Sequence, residues 1–241
     1  MPLLGQAAML LSFDVAVDAV GEHDQWHTHE HLPERLSIPG FVRGSRWISV
    51  RGQPRYFVMY EVEQLATLTS PPYLDRLNNP SPWTSKMMVH YRGMTRGFCL
   101  VTGSFGSGIG CVGLLIRFKP VQGKEPALRE WLLRDCLPTL PRRSGIGSVH
   151  LLEAAVTPEM TTEQRIRGAD AGWDWALFFT GYDEDVLATL VRSDFSCSRL
   201  QRHGVLEPVD AMYQLQYSLV NQELDAHQHY DRRAVKLNDR G

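Results

Sequence analysis

One pattern returns along the chain at a fixed distance. Leu32-Pro33 followed by Gly40 recurs 105 residues later as Leu137-Pro138 followed by Gly145. A proline inside a helical stretch and a glycine just past its end are punctuation that a chain repeats when it repeats a whole structural unit. Two similar units in 241 residues leave few folds open, because each must bury the face that the other does not cover.

The elements can be read in order from hydrophobic period and turn residues. Residues 8–15 read as a buried strand and 18–37 as a helix, with Asp18 as N-cap and Pro39-Gly40 as the stop. Strands at 41–50 and 56–62 flank the turn composition Arg51-Gly52-Gln53-Pro54 and make a hairpin. A helical region over 64–77, broken by Pro71-Pro72, a short helix over 82–90 and a strand over 94–102 complete the order β-α-β-β-α-β. After the glycine-serine run that starts at Gly103, the order recurs: strand 111–118, helix 124–137, strands 148–156 and 173–182, helix 185–202 and strand 212–219.

Each such unit makes a four-stranded antiparallel sheet with both helices on one face. The expected fold is therefore α+β, two tandem ferredoxin-like units packed sheet to sheet as an intrachain α+β barrel. The expected division is a first unit at 1–103, a Gly/Ser linker at 104–110, a second, degenerate unit at 111–220 and a polar tail at 221–241. The polar piece at 157–170, where the first unit has its tight hairpin, reads as a mobile surface loop. His227 and His229 in the tail read as solvated.

Charge and composition exclude several classes of function. A formal net charge of −2 without a basic run gives no attraction to nucleic acid or an anionic membrane. No stretch reaches the ~18 apolar residues of a spanning helix. The apolar opening lacks a basic n-region and reads as a leader into the first strand. Cys99, Cys111, Cys136 and Cys197 are scattered without a C-x-x-C pair, and read as buried thiols of a reducing cytoplasm. The glycine-serine run has no following Lys-Ser/Thr and precedes a strand, so it is no phosphate loop. Gly106-Ser107-Gly108 lacks the strand-turn-helix setting of a nucleophile elbow.

Titratable chemistry concentrates at Trp26-His27-Thr28-His29-Glu30-His31-Leu32-Pro33-Glu34-Arg35. On a helix, His23, His27, Glu30, His31 and Glu34 share a face while His29 points away. Three meanings fit such a stripe: a proton-transfer site, a metal site made by His27, His31 and Glu34, or a solvated helix face. At the repeat offset His27, His29 and His31 become Leu132, Arg134 and Cys136, which points to one active and one structural half.

The stretch Trp26-His27-x-x-Glu30-His31-Leu32-Pro33-Glu34-Arg35-Leu36-x-x-Pro39-Gly40-Phe41, with Asn78-Asn79-Pro80-Ser81-Pro82-Trp83-Thr84, resembles the EthD-like members of the dimeric α+β barrel superfamily. The likeness covers residues 8–102 and is only topological over 111–219. Related barrels include muconolactone isomerase, olivetolic acid cyclase, Dabb proteins and cofactor-independent antibiotic-biosynthesis monooxygenases, so the resemblance implies a fold more sharply than a reaction. His27 stands where such sequences commonly carry tyrosine.

The resemblance implies a cofactor-independent acid/base enzyme, of isomerase, cyclase or decarboxylase type, acting on a small apolar or aromatic carbonyl compound. His31 would transfer the proton and His27 would orient the substrate, with Glu30 and His23 in support. Trp83, Met87, His90, Trp47 and Tyr60 are the expected substrate wall, with Tyr91 and Arg96 near it. The alternatives are a monooxygenase, without cofactor or with haem, and a non-catalytic ligand-binding stress protein. The expected partner is a small molecule, and the expected assembly a monomer with an internal pseudo-dimer or a homodimer.

Overall fold

A computed structural model describes residues 2–51, 53–155, 162–167 and 171–224. The first unit contains β1 (Ala7–Val15), β2 (Phe41–Arg51), β3 (Tyr56–Val62) and β4 (Tyr91–Gly106), and the second β5 (Val112–Pro120), β6 (Ile146–Ala155), β7 (Trp175–Gly181) and β8 (Val205–Val220). Each unit's strands lie in the ferredoxin-like order, β4-β1-β3-β2 and β8-β5-β7-β6. Antiparallel pairing of β2 with β8 and of β4 with β6 joins both edges into one closed eight-stranded barrel.

Alternation along the strands sends side chains to two destinations. On β3, Tyr56, Val58, Tyr60 and Val62 face the helices of their unit, while Phe57 and Met59 face the barrel interior. The interior is filled by Trp47, Phe57, Cys99, Phe178 and Tyr213 from both units. Glu61 also lies inside, paired with Arg43 at 2.6 Å and accepting the N–H of Leu4. The helices of the second unit cover a separate, almost purely apolar core.

The first helical segment is composite: α1 (Val20–Trp26), a π-helical turn (His27–His31) and α2 (Leu32–Leu36). Pro33 has no N–H and its ring crowds the carbonyl one turn back, so the preceding turn widens and Leu32 N–H bonds to His27 O, five residues back. The second unit repeats the device. After α5 (Glu125–Glu130), a π-helical turn (Trp131–Cys136) ends before Pro138, and Leu137 N–H bonds to Leu132 O. Both repeats then turn into a strand through a glycine in the left-handed region, Gly40 at φ 90° and Gly145 at φ 92°. The remaining helices are α3 (Pro71–Asn78) and α4 (Pro82–Met88) in the first unit, and α6 (Thr162–Arg167), α7 (Glu184–Arg192) and α8 (Cys197–Arg202) in the second.

Several expectations need correction. Gly103 to Gly106 continue β4 instead of starting a linker, because β6 supplies partners opposite them, Gly103 to Leu151 through Gly106 to Ser148; tertiary pairing overrides the weak strand propensity of glycine. The 157–170 piece is not simply a surface loop, since its described part is α6, which packs against α3 and α4. Asp18 makes no side-chain cap. The cysteines are free, but only Cys99 is buried, while Cys111 and Cys197 are exposed. Residues 157–161, 168–170 and the tail beyond 224, with His227 and His229, lie outside the described residues. Among the described residues no helix is long and apolar enough to cross a membrane.

The first helical segment approaches the sheet over Gly44 of β2, where an added Cβ would meet Leu32 Cδ2 at 2.2 Å and the Tyr60 ring at 3.3 Å. Gly44→Ala therefore lowers stability by about 1–3 kcal/mol, read as a lower urea midpoint at unchanged m-value.

Candidate functional site

The stripe foreseen on the first helical segment exists, and it is buried. His23, His27 and His31 all point at the sheet, whereas His29 is exposed. Their rings form a continuous row: His23 to His27 and His27 to His31 are each 5.6 Å between centroids. The row continues at the next turn with the buried guanidinium of Arg35. Facing it are Tyr56 and Tyr60 of β3 and Tyr91 at the start of β4.

Each histidine has a distinct setting. His23 places Nε2 3.3 Å from the Tyr91 hydroxyl and Nδ1 3.2 Å from Asp24. His27 places Nε2 3.3 Å from the Tyr60 hydroxyl, and its Nδ1 is buried with no hydrogen-bond partner among the described residues. The His31 ring lies 4.4 Å from the Trp26 indole, with Nδ1 4.0 Å from Glu34. Exposure rises along the row, 0% for His23, 2% for His27 and 7% for His31, so His31 is the end nearest solvent.

Desolvation governs the protonation states. Burial, reinforced by the charges of Arg46 and Arg35, holds His27 well below the ordinary imidazole value. Burial also lowers His23, against the pull of Asp24. Burial would raise Asp24, but hydrogen bonds from His23, Gln216 and Tyr56 hold it down to about 2. Burial pushes the Tyr60 phenol up, so its hydroxyl stays protonated. At neutral pH His23 and His27 are thus uncharged imidazoles beside the uncharged phenols of Tyr56 and Tyr60, able to accept a proton.

Other expected residues divide. Tyr60 joins the histidines directly. Glu30 turns from them to accept from Trp26 Nε1 at 3.2 Å and Thr84 Oγ1 at 3.4 Å, tying the helix to α4. Met87 is buried in the same core, but Trp83 gives its indole N–H to Glu22 at 3.1 Å and His90 sits half-buried in a turn. Trp47 is not brought to the site at all: it faces the barrel interior, 5.2 Å from Phe178, because β2 alternates and Arg46 takes the helix side. Arg46 hydrogen-bonds Thr28 at 2.9 Å and the Asp24 carbonyl at 3.2 Å.

The residues sequence reasoning missed are Asp24, Tyr56 and Glu163. Tyr56 had a signal, since Tyr56 and Tyr60 are four apart on a strand and must share a face. Glu163 had none. It sits in the polar insertion of the other unit, yet it is buried and paired with Arg35.

Among the described residues no three His, Cys, Asp or Glu side chains are grouped to hold a metal, so His27, His31 and Glu34 do not converge as ligands. Nor do these residues fit haem as arranged: Trp26, Tyr56, Tyr60 and Tyr91 occupy the places beside the three imidazoles where a planar ring would lie. Cavities of about 120, 300 and 280 Å³ lie beside Arg117, Arg143 and Leu36, and no histidine lines any of them.

The burial of His23 and His27 makes stability depend on pH. In the unfolded chain His23 and His27 take up protons below about 6.5, whereas in the folded chain they do so only at lower pH. Stability is therefore full above that value and falls as pH drops below it, by up to about 1.4 kcal/mol per pH unit for each histidine that stays neutral. Urea melts from pH 7.5 to 5.5 should show this slope, and His27→Leu should make it shallower; an equal slope in the variant contradicts the assignment.

No family model matches the sequence, and no curated protein matches it. Solved structures do match in fold. An anthrone oxidase-like protein superposes with a TM-score of 0.64 at 9% identity, over 89% of this chain and 92% of that one. A putative monooxygenase from Fusobacterium nucleatum gives 0.59 at 10% identity, over 90% and 96%. Chlorite dismutase from Candidatus Nitrospira defluvii gives 0.57 at 10% identity, over 90% and 92%. At these identities the likeness establishes the α+β barrel fold alone.

Proposed function

We propose that this chain is an enzyme that removes a proton from a small, largely apolar carbonyl or phenolic molecule with a buried imidazole. His27 receives the proton, and His31 passes it toward solvent. The observation that carries this reading is the state of His27: it is solvent-excluded and neutral, engaged by Tyr60 through Nε2, and its Nδ1 has no partner among the described residues. A buried polar atom left without a hydrogen bond costs about 1–3 kcal/mol. The second unit meets the same packing requirement at Leu132 without that cost.

The order of burial supports roles opposite to those expected from the motif, with His27 as base and His31 as the outer relay. Protonation of His27 is unfavourable in isolation. It becomes favourable when it coincides with a new negative charge on the substrate oxygen nearby. Membership among the EthD-like barrels remains part of the proposal, carried by the Trp26 to Phe41 motif.

An oxidative variant shares this first step. The structural likeness to an anthrone oxidase-like protein and to a putative monooxygenase favours it: the deprotonated carbon would pass electrons to dioxygen, with the imidazole row supplying only the proton chemistry.

Solvent exchange of methylene deuterium, followed under argon with anthrone and related aryl methylene ketones, tests the proton step, and dioxygen uptake tests the oxidative one. Exchange alone supports the isomerase or lyase type, and exchange with uptake the oxygenase type. His27→Ala and His31→Ala should each slow exchange by about 10²–10⁴-fold with an unchanged far-UV CD spectrum. No exchange by the parent protein, or full exchange in His27→Ala, overturns the proposal.

A further inference from the structure

The row His23, His27, His31 ends, at the same four-residue spacing, in Arg35. Its guanidinium is only 1% exposed and lies over the Tyr73 ring, 6.0 Å from the centroid. Two carboxylates hold it. Glu34, from the same helix, takes NH1 at 3.3 Å, and Glu163, from α6, takes NH2. At the equivalent places in the second unit, Leu128, Leu132 and Leu140 are buried and Cys136 packs beside them. The fold thus accommodates an apolar stripe here, and the first unit carries a cation in its place.

Glu163 is the less obligatory of the two partners. It belongs to an insertion of the second unit at a point where the first unit has only the turn between β2 and β3, so barrel closure does not call for it. Replacing a buried ion pair with apolar groups is often neutral or stabilising, so such a pair is weak evidence of a stability role. Besides this pair, α6 packs against α3 and α4, and among the described residues Thr162 donates its N–H and hydroxyl to Asn78 Oδ1 at 3.2 and 3.3 Å in an exposed setting. A six-residue helix outside the barrel wall is the kind of element that opens locally at less than the cost of global unfolding. When it leaves, Glu34 still orients the guanidinium through NH1.

We propose that Glu163 is the exchangeable counter-ion of an oxyanion site: the enolate or phenolate oxygen of the substrate takes its place on Arg35 NH2 while α6 moves aside. The inference rests on the proton abstraction proposed above and names its substrate as an aromatic enol, phenol or enolisable ketone. Charge balances throughout. The substrate's acidic hydrogen goes to His27, leaving an imidazolium; the bonding pair stays on the substrate as an oxyanion against Arg35; and the Glu163 carboxylate passes into water. Guanidinium suits the task because its N–H donors are fixed in a plane and it remains charged when buried. Tyr73 and the Phe41 ring, 5.3 Å from it, give the aromatic body a wall beside the charge.

The probe is 4-nitrophenol, whose phenolate is seen by its colour. Glu163→Gln preserves the shape of the side chain and removes the competing charge, so it should bind nitrophenolate about tenfold more tightly than the parent chain, while Arg35→Gln should lose phenolate binding. A second reading needs no variant: saturating nitrophenolate should speed tryptic cleavage after Arg165 of α6 in the parent chain. Equal phenolate affinity in the parent and a folded Glu163→Gln overturns the exchange, as does absent binding in both, or cleavage at Arg165 that is indifferent to ligand. Methylene exchange by the parent with no effect of Glu163→Gln on phenolate binding removes this inference and leaves the proton-abstraction reading; the reverse pair of results leaves the anion site and removes that reading.

Discussion

The open edges of a four-stranded sheet present rows of main-chain donors and acceptors that need partners. In this chain β2 finds them on β8 and β4 finds them on β6. Everything else about the molecule depends on that closure. It commits the inner faces of both sheets to a shared core, where Trp47, Phe57, Phe178 and Tyr213 fill the barrel. Chemistry is thereby moved to the outer faces, under the helices. The second unit is required even though it brings no imidazoles of its own to the row, because without β6 and β8 the first sheet has neither edges nor inner face covered.

The two helix-covered faces form a controlled comparison inside one chain. Both have a π-helical turn before a Leu-Pro pair, and both turn into their next strand through a left-handed glycine. The backbone solution is the same, but the stripe facing the sheet is His23, His27, His31 and Arg35 in one and Leu128, Leu132, Cys136 and Leu140 in the other. The π-helical turn therefore belongs to the fold, as a response to the proline, and not to the chemistry. What is specific to the first unit is the polarity. Desolvating imidazoles, a guanidinium and phenols is unfavourable unless they find partners, and Asp24, Tyr56, Tyr60, Tyr91 and Glu163 supply most of them.

The fold was largely legible because its signals are local and repeated. Leu32-Pro33 and Gly40, recurring as Leu137-Pro138 and Gly145, mark a helix and its exit by backbone chemistry that tertiary contacts do not alter. The histidine stripe was legible for the same reason, since helical spacing puts positions 23, 27 and 31 on one face. Which face of a strand meets the site was harder. Trp47 and Tyr60 look alike as strand aromatics, yet one faces the barrel interior and the other His27, and only the register of closure separates them. Glu163 was illegible altogether: it approaches Arg35 from 128 positions away in sequence, through an insertion whose composition reads as solvated surface.

That long-range contact changes how the division between halves is understood. The first unit holds the titratable row, and the second closes the barrel, but a side chain of the second also reaches the end of the row and neutralises its cation. In this closed arrangement His23 and His27 are shielded from water, which keeps them neutral, and Arg35 is matched by carboxylates, which makes its burial tolerable. Any anion generated beside His27 would meet the nearest positive charges at Arg35 and Arg46. Arg46 is already bonded to Thr28, to the Asp24 carbonyl and, at 2.6 Å, to Gln216. Gln216 is a neutral partner from β8, whereas Arg35 is held partly by a carboxylate from an insertion of the other unit, and it is there that the resting charge balance can be exchanged without dismantling the helix that carries the histidines.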